Sequence, residues 1–203
     1  EMKTKPTQHS VMRLREIGLE PNILVCRTEL QHHLTDKLKH KLGLFCNVET
    51  AHVFESPDVD TIYEIPLVLH QQNFDDIIMQ RLQLESKAHE QSLNILEDYI
   101  GRFKHPKHTV TIAICGKYNS LQDAYKSILE AFIHAGIEND AHVNIQWIDT
   151  ESLENDNREK DFFHGIDGIL IPGGFGDRGI EGKIMASQYA RENNIPFFGI
   201  CLG

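Results

Sequence analysis

From residue 109 onward, apolar and polar positions alternate between two periods. "VTIAICG" (110–116) is apolar at nearly every position, which predicts a strand buried on both faces. "SLQDAYKSILEAFIHAG" (120–136) follows with Leu121, Tyr125, Ile128, Leu129, Phe132 and Ala135 on one helical stripe. Ser120 is read as its N-cap and Gly136 as its C-cap. "HVNIQWID" (142–149) predicts a second strand and "DGILIPGG" (167–174) a third running into glycines. "IEGKIMASQYARENN" (180–194) predicts a helix and "IPFFGICLG" (195–203) a fourth strand. Strands in alternation with helices predict an α/β fold with a doubly wound, mainly parallel sheet. In such sheets chemistry collects at the carboxyl ends of strands, here "PGGFG" and "GICLG".

Upstream the pattern is less regular. "NILVCR" (22–27) and "LGLFCNV" (42–48) are short apolar runs that predict strands, with "TELQHHLTDKLKHK" between them helical in its second half. "SPDVDTIYEIP" (56–66), with its prolines and acids, predicts a loop with a short extended piece. Residues 85–108 carry one amphipathic stripe, Leu93, Leu96, Ile100 and Phe103, ended by Pro106. This predicts three parts: 1–84, a linking helix over 85–108, and 109–203.

Composition narrows the function classes. The chain has 20 basic and 30 acidic residues, a formal charge of -10, which repels nucleic-acid phosphates and anionic membrane surfaces. The start lacks the apolar stretch of a secretory signal, and no apolar run is long enough to span a bilayer, so a cytoplasmic protein is expected. Cys26, Cys46, Cys115 and Cys201 lie far apart without a C-x-x-C pair, and no histidine shows metal-site spacing. Four free thiols and no metal site in this segment are expected.

One thiol stands in a chemical setting. Gly199-Ile200-Cys201-Leu202-Gly203 is G-x-C-x-G, the cysteine form of the nucleophile elbow. A strand turning sharply into a helix needs small residues two places either side of the nucleophile, and a helix N-terminus beyond it favours thiolate. The backbone N–H groups of Gly174, after the third strand, and Leu202, after the cysteine, could stabilise an oxyanion. The bland alternatives are a small buried cysteine between packing glycines, and a plain glycine turn at 173–174.

The two motifs, in this order on alternating strands, resemble the class I glutamine amidotransferase domain. "KTKPTQHS" (3–10), "KLGLFCNV" (41–48), "DVDTIY" (58–63), "GKYNSLQDAYKS" (116–127), "PGGFGDRGIEG" and "ARENNIPFFGICLG" resemble the CTP synthase family over nearly the whole chain. The resemblance implies the end of a P-loop-type synthetase domain over 1–84 and the first half of a class I glutaminase domain over 109–203. It implies a ligase that aminates UTP to CTP with ATP, taking ammonia from glutamine. Cys201 would be the nucleophile, with Gly174, Leu202 and Gly203 around the glutamine amide. Lys3, Thr4, Lys5, Pro6, Thr7, Gln8 and Lys41 would bind UTP or inhibitory CTP, where lysine cations neutralise phosphate charge. Asp58 and Val59 would lie near the adenine of ATP. Lys117, Arg178, Gly179 and Glu181 would belong to a mobile lid answering the activator GTP. Also implied are Mg²⁺ carried with ATP on ligands outside this segment, and a homotetramer. The family's P-loop and its H-x-E pair do not occur here, since none of the twelve histidines is followed by x-E. These residues alone are therefore expected to catalyse neither half-reaction. Another class I amidotransferase would share the elbow without reason to carry "KTKPTQHS"; a silent nucleotide-binding module is the non-enzymatic alternative.

Overall fold

The computed structural model describes residues 3–29, 31–85, 90–117, 122–155, 162–174 and 178–203. The chain divides into two compact units, Glu1–Ile100 and Gly101–Gly203.

The first unit opens with a helix that the apolar pattern did not predict, α1 (Lys5–Glu16), with proline in its first turn and Val11 buried. Its polar surroundings explain the omission, because one buried apolar residue leaves no visible stripe. Strand β1 (Leu24–Thr28) lies where "NILVCR" placed it. The strand expected over 42–48 does not form: residues 42–46 belong to helix α2 (Asp36–Cys46). Thr35 caps that helix by accepting the N–H of Leu38 at 3.4 Å. Leu42 and Cys46, four residues apart, are buried, while the intervening Leu44 and Phe45 are exposed. The apolar run therefore follows the 3.6-residue period, with its outer members in solvent. Asn47, in the left-handed conformation, ends the helix. Strand β2 (Val53–Pro57) then pairs parallel with β1, Leu24 opposite Val53 and Thr28 opposite Pro57. Its Phe54 packs edge-on against Phe74, ring centroids 4.9 Å apart. Short helices α3 (Ile65–His70) and α4 (Phe74–Leu82) follow, and α5 (Glu90–Lys104) crosses the division between the units. The core of this unit gathers Val11, Leu24, Leu42, Cys46 and Val53 from α1, β1, α2 and β2.

The second unit follows the predicted alternation. Strands β3 (His108–Gly116), β4 (Ala141–Asp149), β5 (Gly168–Ile171) and β6 (Phe197–Gly199) form a parallel sheet in the order β4-β3-β5-β6. Successive residues of a strand face opposite ways, so both faces of this sheet must be covered. Ala113, Cys115, Ile148, Ile169 and Ile171 pack on one face with Leu153 of α7 (Thr150–Asn155) and with Ala186 and Ala190 of α8 (Ile180–Glu192). On the other face Val143 and Ile145 meet Phe132, Ile133 and Ile137 of α6 (Lys126–Glu138), and Tyr125 stacks on Trp147 at 5.8 Å. This is the doubly wound arrangement.

Helix α6 corrects both expected boundaries, since it begins at Lys126 with Tyr125 as N-cap, after a 3-10 turn over Gln122–Tyr125. Gly136 is not its C-cap: the helix continues to Glu138, with Asn139 as cap. A side chain at 136 would meet the carbonyl oxygen of Ala141 at 2.5 Å, so the glycine serves the close approach of α6 to the start of β4. The expected N-cap Ser120, and Leu121 after it, lie outside the described residues. Among the described residues no helix is long and apolar enough to cross a membrane.

Candidate active site

The carboxyl ends of β3, β5 and β6 meet at one edge of the parallel sheet. Ile200 continues the pairing of β6 beside β5, its N–H donating to Ile171 O at 3.0 Å. The chain then turns within one residue. Cys201 has φ of 59°, the left-handed region, and Gly203 N–H donates to Ile200 O at 2.9 Å to close the turn. A non-glycine residue held there is strained, as expected of a nucleophile elbow. Its two glycines are required by contact. A Cβ at 199 would collide with the carbonyl oxygen of Gly203, and one at 203 with the carbonyl oxygen of Ile171. Cys201 is exposed.

Across from it runs Pro172-Gly173-Gly174 at the end of β5. A Cβ on Gly173 would sit 3.2 Å from Cys201 Cβ, so Gly173 lies against Cys201. Gly174, Leu202 and Gly203 line one cleft of about 420 Å³ with Ile180, Lys183 and Phe197. Gly174, Leu202 and Gly203 thus share one cleft, whereas Cys201 is not among its lining residues and is met instead by Gly173. Sequence reasoning missed Lys183. It falls on the stripe of α8 that buries Ala186 and Ala190, a cation at an apolar position, while Ile180 and Ile184 of the same helix are exposed, so the apolar pattern did not mark that stripe. Lys183 Nζ donates to Leu202 O at 3.5 Å. Burial, with the charge of Lys117 adding to it, holds its ammonium below the usual lysine value, and Cys201 acts the other way.

The residues read as a lid surround the start of α8. Arg178 forms an ion pair with Glu151 of α7, and Glu181 is exposed in the first helical turn. Gly179 has φ of 77° and, like Gly182, packs so closely on Thr150 that no side chain would fit. Contact with α7 is thus a reason for these glycines that the sequence did not reveal. Lys117 follows the last residue of β3.

The first unit holds the remaining candidates. Thr4 is buried and its Oγ1 accepts Gln8 Nε2 at 3.1 Å, bracing the first turn of α1, while Lys3, Lys5 and Pro6 are exposed and Thr7 is half-buried. Lys41 is exposed on α2. Asp58 follows β2, where its N–H donates to Thr28 O at 2.8 Å and its carboxylate accepts from Arg27 at 2.9 Å; Val59 is half-buried beside it. Arg27 is a second residue that sequence reasoning passed over. Among the described residues no group of three or more His, Cys, Asp or Glu could hold a metal ion.

Residues 1–84 match the family model described as CTP synthase N-terminus, and residues 120–203 match Glutamine amidotransferase class-I. A CTP synthase from Ruminiclostridium cellulolyticum is 52% identical over the whole chain, which spans 37% of that relative. The chain belongs to the CTP synthase family. A CTP synthase from Hydrogenobaculum sp. is 53% identical, again over the whole chain and 36% of the relative. One from Methanocaldococcus jannaschii is 50% identical over 208 aligned residues, covering 38% of that protein. The chain thus spans little more than a third of the length of the CTP synthases it matches. A solved structure described as the glutaminase domain of Trypanosoma brucei CTPS with bound acivicin is 45% identical, covering 46% of the chain and 37% of that structure, with a TM-score of 0.43.

Proposed function

We propose that this chain is the central segment of an enzyme converting UTP to CTP, with ammonia drawn from glutamine. One observation carries the reading: an exposed cysteine held in a left-handed turn against Gly173, on a chain whose other unit matches the synthetase half of the family. In the glutaminase step the Cys201 thiolate attacks the side-chain carbonyl carbon of glutamine. The oxyanion takes hydrogen bonds from the N–H groups of Gly174 and Leu202. Collapse breaks the C–N bond, the nitrogen gains a proton and leaves as ammonia, and water hydrolyses the glutamyl thioester to glutamate. A histidine and a glutamate of the H-x-E kind complete the triad from outside these residues.

In the synthetase step ATP phosphorylates O4 of the uracil ring, and ammonia displaces the phosphate at C4. Lys3, Lys5 and Lys41 meet the pyrimidine nucleotide's phosphates, aided by the amino end of α1, with Thr4, Pro6, Thr7 and Gln8 shaping the site. Asp58 and Val59 stand by the adenine. Mg²⁺ accompanies ATP, and the described residues offer it no ligand cluster. GTP acts through Lys117, Arg178, Gly179 and Glu181. The enzyme works in the cytoplasm as a homotetramer.

The test is Cys201→Ala in the full-length protein. Glutamine-dependent CTP formation should fall at least a hundredfold, and formation from ammonium chloride should persist near the parental rate. Equal loss of both would refute the division of labour between the two units.

A further inference from the structure

The side chain of Glu55, in the middle of β2, is only 15% exposed, and a carboxylate drawn that far from water needs donors. Its Oε1 gathers groups from the end of β1 and the chain beyond it. It accepts the hydroxyl of Thr28 at 2.7 Å and the N–H of Leu34 at 3.0 Å, and both of those residues are buried. Nδ1 of His33 lies 3.3 Å from the same oxygen, but His33 is exposed, so that pair counts for little beside the two buried donors. The backbone of Glu55 is held as well. The Gln72 side-chain amide accepts its N–H at 2.9 Å and donates to its carbonyl oxygen at 2.8 Å, as a neighbouring strand would. Thr28 carries the chain of bonds onward: its carbonyl oxygen accepts the N–H of Asp58 at 2.8 Å, and the Asp58 carboxylate pairs with Arg27 at 2.9 Å. The residue whose hydroxyl Glu55 holds is therefore the residue whose backbone holds Asp58. All of this lies at the carboxyl ends of two parallel strands, the end of such a sheet that receives ligands.

We propose that Glu55 is a positioning residue of the ATP site, tying Thr28 and Leu34 together so that the ends of β1 and β2 hold Asp58 and Val59 in place. The proposal rests on the reading above that Asp58 and Val59 stand by the adenine. Glu55 acts through Thr28 and Leu34 rather than by contact with ATP, so its loss weakens binding and leaves the phosphoryl transfer itself intact. Without its oxygen, two buried donors lose their acceptor, and each must reach water by moving. The segment after β1 then comes away from β2, and Thr28 shifts with the Asp58 N–H it holds. A glutamine at 55 keeps a carbonyl oxygen where Oε1 now stands and gives up only the charge.

The experiment compares Glu55→Ala and Glu55→Gln in the full-length protein, with ammonium chloride as nitrogen donor so that the glutaminase step does not enter. In E55A the KM for ATP should rise about tenfold, while kcat at saturating ATP and the KM for UTP stay within about twofold of the parental values. E55Q should restore the parental KM for ATP. A general loosening of the first unit would raise both nucleotide KM values together, and that outcome overturns the proposal. An unchanged KM for ATP in E55A overturns it too, as does a rise in E55Q as large as that in E55A. Should E55A fail to fold, Thr28→Val takes its place, since it deletes the hydroxyl and keeps the branched shape. A KM for ATP raised about threefold at retained kcat then supports the role, and a parental KM refutes it. ATP affinity measured by isothermal titration needs no turnover and separates the two levels of the argument. If the parental protein binds ATP but forms no CTP, the assigned reaction fails and the ratio of parental to E55A affinity still judges Glu55; a parental protein that binds no ATP defeats both.

Discussion

Gly199 and Gly203 bracket Cys201 for a reason stated in atoms. A methyl group at 199 would overlap the carbonyl oxygen of Gly203, and one at 203 the carbonyl oxygen of Ile171, both backbone atoms that cannot swing aside as a flexible side chain would. Relief requires opening the turn that holds Cys201 at φ of 59°. Gly199→Ala or Gly203→Ala should therefore cut glutamine-dependent CTP formation by about a hundredfold, since a misplacement of about 1 Å has that effect on a positioned nucleophile. Ammonia-dependent formation, assayed on the same preparation, should be spared; retention of parental glutamine-dependent rates would contradict the packing argument. The elbow was legible in the sequence because its rule is one of spacing, G-x-C-x-G, and spacing survives without coordinates. The approach of Gly173 to Cys201 and the burial of Lys183 were not legible in that way. They depend on β5 and β6 being neighbours and on which stripe of α8 turns inward, which spacing along the chain does not record.

Elements were readable in proportion to how closely their apolar period matched their burial. In the second unit, β3 and β5 are covered on both faces and α6 carries a broad apolar stripe, so pattern and structure agree there, whereas the strand expected over 195–203 is only Phe197–Gly199, with Phe197 and Phe198 exposed. In the first unit the same logic misleads: Leu44 and Phe45 are apolar but exposed, and together with Leu42 they imitate a strand where α2 stands. Helix α1 shows the reverse case, a helix with so little apolar surface that only its proline and its Thr4–Gln8 hydrogen bond mark its start. Gly136 belongs to this scale too, because helix propensity and packing disagree there. Alanine is the better helix former by about 1 kcal/mol, yet its methyl group would lie 2.5 Å from Ala141 O at the mouth of β4. Overpacking against backbone outweighs the propensity gain, and Gly136→Ala should destabilise the second unit by about 2 kcal/mol in urea unfolding. A stabilised variant would mean that Gly136 is a permissive residue inside a helix and that α6 and β4 have room to separate.

Across the whole molecule the four thiols occupy a graded series of environments, and that gradation has consequences for pH and reactivity. Cys201 is exposed, Cys26 half-buried, and Cys46 and Cys115 buried. Burial raises the Cys26 and Cys46 thiols above their ordinary value, with Cys46 adding to the rise at Cys26 and Arg15 opposing it at Cys46. Cys115, inside β3 beneath α7 and α8, is pushed up to about 12 by loss of solvent alone. Native protein treated with iodoacetamide at mildly alkaline pH should therefore be labelled first at Cys201 and last at Cys115, in a time course followed by peptide mass spectrometry. The same shift predicts a stability trend. Between the unfolded value of 9.0 and about 12 the folded chain retains a proton on Cys115 that the unfolded chain has lost. The stabilisation is complete below pH 9 and declines as pH rises through that window. Replacing Cys115 by Ala removes the titrating group, so the variant's melting temperature, lower at neutral pH because of the small cavity, should fall less steeply above pH 9 than the parental one. Parallel slopes for the two proteins across that range would show that the Cys115 thiol reaches solvent before the sheet opens, contrary to its place in the core.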